Sequence, residues 1–287
     1  MELTRQPKKI PVYLHIPKNA GSYLIRVFTR YFIRLFESKS QVKIQRLTVY
    51  SGCFNLTVFV KFNSDYWQAD ENMKEHHFID PRALKCGLPT LQTYINNNQL
   101  YVLAVAIEPE DGELRPSFNA VHHILNLCEA KGFYFSILRE TFSRQQSLYH
   151  YITGEESSHE SSHKSIKEAS FVEYLSSGSL EDSWLIRSAT GMKVDWPITC
   201  FWFDQCCNFL DSFNFLIKGI ENTDNIINEV LSSCFGEGLS NSDRAQPNLN
   251  STKIENKITI NDLNEAVKEK FLKRTYWDRK LWERYCK

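Results

Sequence analysis

The sequence predicts an α/β fold, a three-layer sandwich with a mostly parallel central sheet. Two observations carry that reading. Short apolar runs of strand length alternate with amphipathic helical stretches, the pattern of successive strand–helix–strand units. No internal repeat or compositional break divides the chain, so residues 1–287 read as a single domain. At roughly 150 residues per domain, 287 residues suffice for one large unit.

The elements follow in order. Residues 11–16 read as a short buried strand, and Pro17 to Ser22 as a turn. Residues 23–38 have helical periodicity, with Leu24, Phe28, Tyr31, Phe32 and Leu35 on one face. Two β-rich runs, 42–50 and 54–62, form a hairpin or two separate sheet strands. A short helix is expected at 89–97 and a buried strand at 100–108. Residues 117–132 read as a helix with Gly132 just past its end. The apolar run 133–138 is a strand that leads directly into a loop and helix over 139–152. Residues 153–170 are Ser-rich and charged, and read as an exposed loop. Helical pieces follow at 170–177 and 180–190, while periodicity leaves 200–210 open between strand and helix. A strand at 213–220 precedes a helix capped at Asn222 or Thr223. Residues 236–261 are a polar loop, and 262–286 an amphipathic helical end.

Composition excludes several classes. Lys+Arg and Asp+Glu are both 34, so no global charge draws the chain to nucleic acid or a membrane surface. Any polyanion must be met by a local patch. Eight cysteines, without a CxxC pair, argue for reduced and mostly buried thiols. The vicinal Cys206 and Cys207 do not suit tetrahedral zinc. His159 and His163 have i, i+4 spacing but sit in the Ser-rich stretch, a weak metal signal. His122 and His123 read as a half-buried pair on a helix. No apolar run is long enough to cross a membrane, and no signal-like segment opens the chain, so a cytoplasmic protein is expected. The Golgi lumen is the alternative where an anchor lies outside this stretch.

The sharpest chemistry lies in Leu14-His15-Ile16-Pro17-Lys18-Asn19-Ala20-Gly21-Ser22-Tyr23-Leu24. A small-residue loop entering a helix exposes backbone N–H groups at the positive end of the helix dipole, an arrangement suited to phosphate. Lys18 adds a mobile positive charge, and Ser22 a hydroxyl donor. The order is not that of a Walker A loop, because Lys18 precedes Gly21 by three residues. A second cluster follows the strand at 133–138: Arg139 at the strand end and Ser147 eight residues on. An Arg fork and a hydroxyl can clamp one phosphate.

HIPKNAGSYL resembles the HIPKTGGTSL loop that binds the 5′-phosphosulfate in sulfotransferases using 3′-phosphoadenosine 5′-phosphosulfate (PAPS). Asn19, Ala20, Ser22 and Tyr23 depart from it. The run from Leu138 to Tyr149 resembles the family's 3′-phosphate motif, LR(D/E)PxxRxxSxY, with Thr141 in place of Pro. Fainter similarities reach further: Ser183 to Gly191, Leu216 to Glu221, Asn250-Ser251-Thr252, and Tyr276 to Trp282, the last similar to the terminal helix of the carbohydrate-type, Golgi-like branch. The resemblance implies a P-loop NTPase-like sulfotransferase fold and a single domain. It implies donor binding by Pro17, Lys18, Asn19, Ala20, Gly21, Ser22, Tyr23, Arg139 and Ser147, with Asn250, Ser251 and Thr252 in the loop closing over the nucleotide. No metal is implied.

Sulfuryl transfer also needs a base for the acceptor hydroxyl, and histidine suits it. The family spacing from the loop lysine points to His76 and His77, 58 and 59 residues after Lys18. His77 is favoured because Phe78 and Ile79 begin an apolar piece; His76 is the alternative, and Asp80, Asp65 and Glu108 stand behind both. The expected activity is O-sulfation of an acceptor hydroxyl on a small molecule or glycan, with 3′-phosphoadenosine 5′-phosphate (PAP) as product. Two other readings stay open. One is a nucleotide phosphotransferase with Glu108 as magnesium ligand. The other is a nucleotide-binding member without turnover.

Overall fold

The computed structural model describes residues 5–36, 43–51, 54–63, 74–75, 83–108, 114–154, 164–177, 180, 182–193, 196–244 and 258–287. Strand β1 (Lys9–Leu14) runs through the loop in question to helix α1 (Gly21–Phe36). A hairpin of β2 (Lys43–Ser51) and β3 (Phe54–Phe62) follows, then the two-residue β4 (Lys74–Glu75), β5 (Ala83–Gly87), α2 (Leu88–Asn96), β6 (Leu100–Glu108), α3 (Arg115–Leu127) and β7 (Lys131–Leu138). Helix α4 (Thr141–Thr153) leaves β7 and leads to α5 (Lys164–Lys167), α6 (Phe171–Ser176), α7 (Trp184–Thr190) and α8 (Cys200–Ser212). Strand β8 (Leu216–Gly219) completes the sheet, and α9 (Thr223–Phe235), α10 (Glu265–Arg274) and α11 (Tyr276–Cys286) follow.

The sheet has eight strands in the order β4-β5-β2-β3-β6-β1-β7-β8. Four of its pairings are parallel; β3 and β4 are the strands that run against the rest. The expected mostly parallel α/β sheet is therefore present, with helices on both faces. Alternation along β1 divides the two sides, since successive side chains of a strand point oppositely. Ile10, Val12 and Leu14 pack with α2, α3, α7, α8 and α11, whereas Tyr13 packs with α1 and α9. Helix α1 buries Leu24, Val27, Phe28, Tyr31, Phe32 and Leu35, a stripe at helical spacing. Burying side chains of this size contributes about 1.5–3 kcal/mol each. A third cluster joins α4, α5, α6 and α10 through Phe142, Ile166, Tyr174 and Phe271.

Several local expectations change. The helix over 115–127 ends at Cys128 with Glu129 in the left-handed region, and Gly132 belongs to β7. A methyl group on Gly132 would meet the Tyr134 ring, so close packing rather than a helix cap requires the glycine there. His122 and His123 are exposed, not half-buried, although the His122 ring leans on Tyr134 and Phe213. The run 200–210 is helical, with Cys206, Cys207 and Leu210 on its buried side. The Ser-rich loop is narrower than 153–170, because Thr153 still ends α4 and Lys164 begins α5. Among the described residues all seven cysteines are free, and four are buried. No described helix is long and apolar enough to cross a membrane.

The topology sets up a crevice. β1 lies between β6 and β7, with Leu14 in register with Ile107 and with Ser136. The chain leaves β1 for the β6 side of the sheet and leaves β7 for β8 on the other side. The carboxyl ends of β1 and β7 thus form a topological switch point, where α/β proteins bind ligands.

Candidate functional site

The loop between β1 and α1 lies at this switch point and is held in an uncommon conformation. Lys18 and Ala20 have φ of +66° and +63°. Each such residue costs about 1 kcal/mol relative to right-handed geometry. Tertiary hydrogen bonds offset the cost. Asn19 is buried, and its Nδ2 donates to the Ile137 carbonyl at 3.0 Å. Tyr13 OH donates to the Asn19 carbonyl at 3.0 Å. Arg139 Nη1 donates to the Lys18 carbonyl at 3.4 Å, and Arg144 Nε to the Pro17 carbonyl at 3.3 Å. The buried Arg144, read from the sequence only as part of a motif, is a strut beneath the loop.

Ala20, the residue before helix α1, has no polar side-chain atom with which to cap it, and the first turn carries no acidic residue. Leu24 N–H is the first to reach a carbonyl in the helical manner, that of Ala20 at 3.0 Å. The amides of Gly21, Ser22 and Tyr23 are the end groups a helix leaves for an outside partner. The positive φ of Lys18 and Ala20 lies immediately before them, and alternation of backbone hand is the geometry by which successive amides form an anion nest. Gly21 is fixed by close approach: a Cβ there would run into the His15 imidazole.

Two cations belong to this loop or bond to it, Lys18 within it and Arg139 on its carbonyl. Lys18 is half-buried, and burial together with the Arg139 charge holds its ammonium below the ordinary lysine range. Burial also lowers Arg139, with Glu140 opposing. Glu140 is already committed: its two carboxylate oxygens accept from Phe142 N and Ser143 N, each at 2.9 Å, capping α4. No carboxylate forms an ion pair with Lys18 or Arg139 among the described residues. Arg139 Nε donates instead to Ser143 Oγ at 3.1 Å.

Ser147 lies on α4, one helical turn from Ser143 and one from Tyr151. Ser143, Ser147 and Tyr151 follow one another at intervals of four, which aligns them along one side of α4, and Arg139, just before the helix, reaches the first of them through its Nε. Arg139 at one end binds the Lys18 carbonyl, and the Tyr151 ring at the other lies 3.8 Å from Lys18 Nζ. Ser147, half-buried, is between them in the α4 sequence. Tyr151 escaped the sequence reading because the resemblance ends at Tyr149; the four-residue interval from Ser147 was the available signal.

Other expected residues are placed differently. Ser22 is exposed on the first turn of α1. Tyr23 turns its hydroxyl to Asp224 on α9 at 2.6 Å; burial and then this bond push its pKa up to about 12. Asn19 spends its amide on the core, and its Oδ1 has no hydrogen-bond partner among the described residues. His76, His77, Asp65, Asp80, His159, His163 and Asn250, Ser251 and Thr252 lie outside the described residues. Strand β4, which ends at Glu75, is at the far edge of the sheet from β1. On either side of 245–257, Arg244 pairs with Asp224 at 3.6 Å and the Ile258 carbonyl accepts from Gln146 Nε2 at 3.3 Å. Glu108 ends β6, next to β1. No group of metal-ligating side chains occurs among the described residues. Comparison with family models, curated proteins and solved structures finds no match to this chain.

Proposed function

We propose that the chain is a PAPS-dependent sulfotransferase of P-loop-like fold that transfers a sulfuryl group to an acceptor hydroxyl. One observation carries the reading: Lys18 and Arg139, 121 residues apart, meet in the loop that leads into α1, with no carboxylate paired to either among the described residues. Such a cluster is unfavourable until an anion enters, and the donor carries phosphates where the resemblance assigns both residues. The α1 amides and Lys18 would hold the 5′-phosphosulfate and stabilise charge growing on the leaving phosphate. Arg139 and Ser147 would clamp the 3′-phosphate. A base would take the acceptor proton as its oxygen attacks sulfur in line. His77 holds that assignment by resemblance, with His76 as the alternative.

The test is thermal stabilisation by PAP against AMP, which lacks the 3′-phosphate. Ligand linkage predicts a larger shift with PAP. Equal shifts remove the Arg139–Ser147 assignment, and turnover of labelled PAPS on an acceptor panel then tests the chemistry.

The position of Glu108 favours a second reading, nucleotide phosphotransfer. Ile107 pairs with Leu14, so Glu108 ends the strand beside the loop, where an acidic magnesium ligand would stand. Magnesium-dependent ATP hydrolysis without PAPS turnover would select it.

A further inference from the structure

The Lys18 ammonium rests on an aromatic face rather than on a carboxylate. Its Nζ lies 3.8 Å from the centroid of Tyr151, within the range in which a ring quadrupole attracts a cation. The lysine backbone is fixed independently, in the left-handed region and bonded through its carbonyl to Arg139. Only the side chain is left to choose a direction, and Arg139 repels it. Tyr151 is 43 % exposed, so the ring is within reach of solvent while Lys18 lies against it.

We propose that Tyr151 is the positioning residue of Lys18: its ring holds the ammonium beside the anion nest without adding negative charge to it. The inference rests on the reading of the loop as an anion site. A carboxylate at the same place would hold the lysine more firmly. It would also cancel one of the two positive charges and repel the incoming phosphate. A ring attracts the cation, leaves the net charge of the nest intact, and releases the ammonium when a phosphate offers a stronger partner. The spacing supports the assignment, because Tyr151 is the last member of the α4 series Ser143, Ser147 and Tyr151. Arg139, just past the end of β7, joins that series through its bond to Ser143 Oγ, so one strand end and the helix after it supply the guanidinium, the hydroxyls and the rest for the lysine.

Three variants test this: Tyr151→Phe keeps the ring, Tyr151→Leu removes it, and Tyr151→Glu replaces it with a carboxylate. The first readout needs no activity. Brief acetylation followed by mass spectrometry measures the labelling of Lys18 against the exposed Lys193 of the same chain. Tyr151→Leu frees the ammonium and speeds Lys18 labelling about three- to tenfold, a cation–π contribution expressed as a population. Tyr151→Phe stays near the parent chain, and Tyr151→Glu labels more slowly than the parent. The second readout is PAP binding by calorimetry. Tyr151→Glu weakens it at least about tenfold, as expected for losing a net positive charge near a phosphate, whereas Tyr151→Phe binds like the parent. Tyr151→Leu in a Lys18→Ala background has no further effect on binding, since both changes act through one ammonium. Unchanged labelling in Tyr151→Leu, or Phe behaving as Leu, overturns the proposal whether or not PAP binds. Failure of the parent chain to bind PAP, with labelling as expected, overturns the nucleotide reading instead.

Discussion

Asn19 is joined to Ile137 by a hydrogen bond of 3.0 Å across 118 residues of sequence, and this bond ties the loop after β1 to the end of β7. The loop geometry and the position of Arg139 are therefore coupled. Whatever moves Asn19 moves the surface on which the anion would sit.

Asn19→Ala should loosen that tie. It leaves the buried Ile137 carbonyl without this donor, at a cost of about 1–3 kcal/mol. Urea unfolding reads the stability. PAP binding should weaken in the same variant, although in this structure the Asn19 side chain spends its hydrogen bond on the core. Full stability with normal binding would show that the loop is held by its other bonds alone.

Neighbouring positions should respond oppositely to one methyl group. Gly21→Ala places a Cβ against the His15 ring, and overpacking of this kind costs about 1–3 kcal/mol. Ala20→Gly removes a Cβ at φ +63° and should be neutral or stabilising by up to about 1 kcal/mol. Denaturant midpoints of the two variants give the comparison directly.

Lys18→Ala should lower kcat far more than donor affinity, because its charge matters most as the leaving phosphate develops. Arg139→Ala should do the reverse. The pH dependence of PAP binding gives a separate check. Only the protonated amine attracts phosphate, so affinity falls as pH rises through the Lys18 pKa. Because that pKa is lowered, the fall begins below the ordinary lysine range. The bound phosphates have already lost their second proton near pH 6 and do not contribute there. Lys18→Arg should remove the alkaline fall.

Arg34 on α1 holds Asp243 through Nε at 2.8 Å and also pairs with Glu237. Burial pushes the Asp243 carboxyl up, but the bonds from Arg34 and Ser240 outweigh it and leave it lowered. A lowered carboxyl stabilises the fold above its unfolded pKa, and that contribution is lost as pH falls through the folded value. Arg34→Ala should cost roughly 2–3 kcal/mol near neutrality. The gap from the parent chain should shrink on acidification, as thermal melts between pH 7 and pH 3 would record.

The His76 and His77 assignment is decided by turnover. A general base contributes about 10²–10⁴-fold. His77→Ala should lose activity on that scale with PAP binding kept, and His76→Ala should retain most of it. If both stay active, Glu108, beside the loop at the end of β6, is the first candidate to replace them.

Local spacing accounts for the periodic elements. Strand and helix leave their own spacing in apolar residues, and the face of α1 from Leu24 to Leu35 was legible because a single stripe of the helix is buried. The loop chemistry was legible for the same local reason: Lys18, Gly21 and Ser22 are neighbours in the chain. Ends of elements were less so, because Glu129 rather than Gly132 took the left-handed turn once Gly132 was needed against Tyr134. The pairings across the sheet come instead from packing between distant segments. Nothing local distinguishes the inward Arg144 from the site-facing Arg139, or shows that Asn19 faces Ile137. Lys18 finds Tyr151 rather than an acid because parallel pairing of β1 with β7 sets α4 against the loop. Such contacts join residues more than a hundred positions apart, and their energy depends on packing that no window of sequence contains.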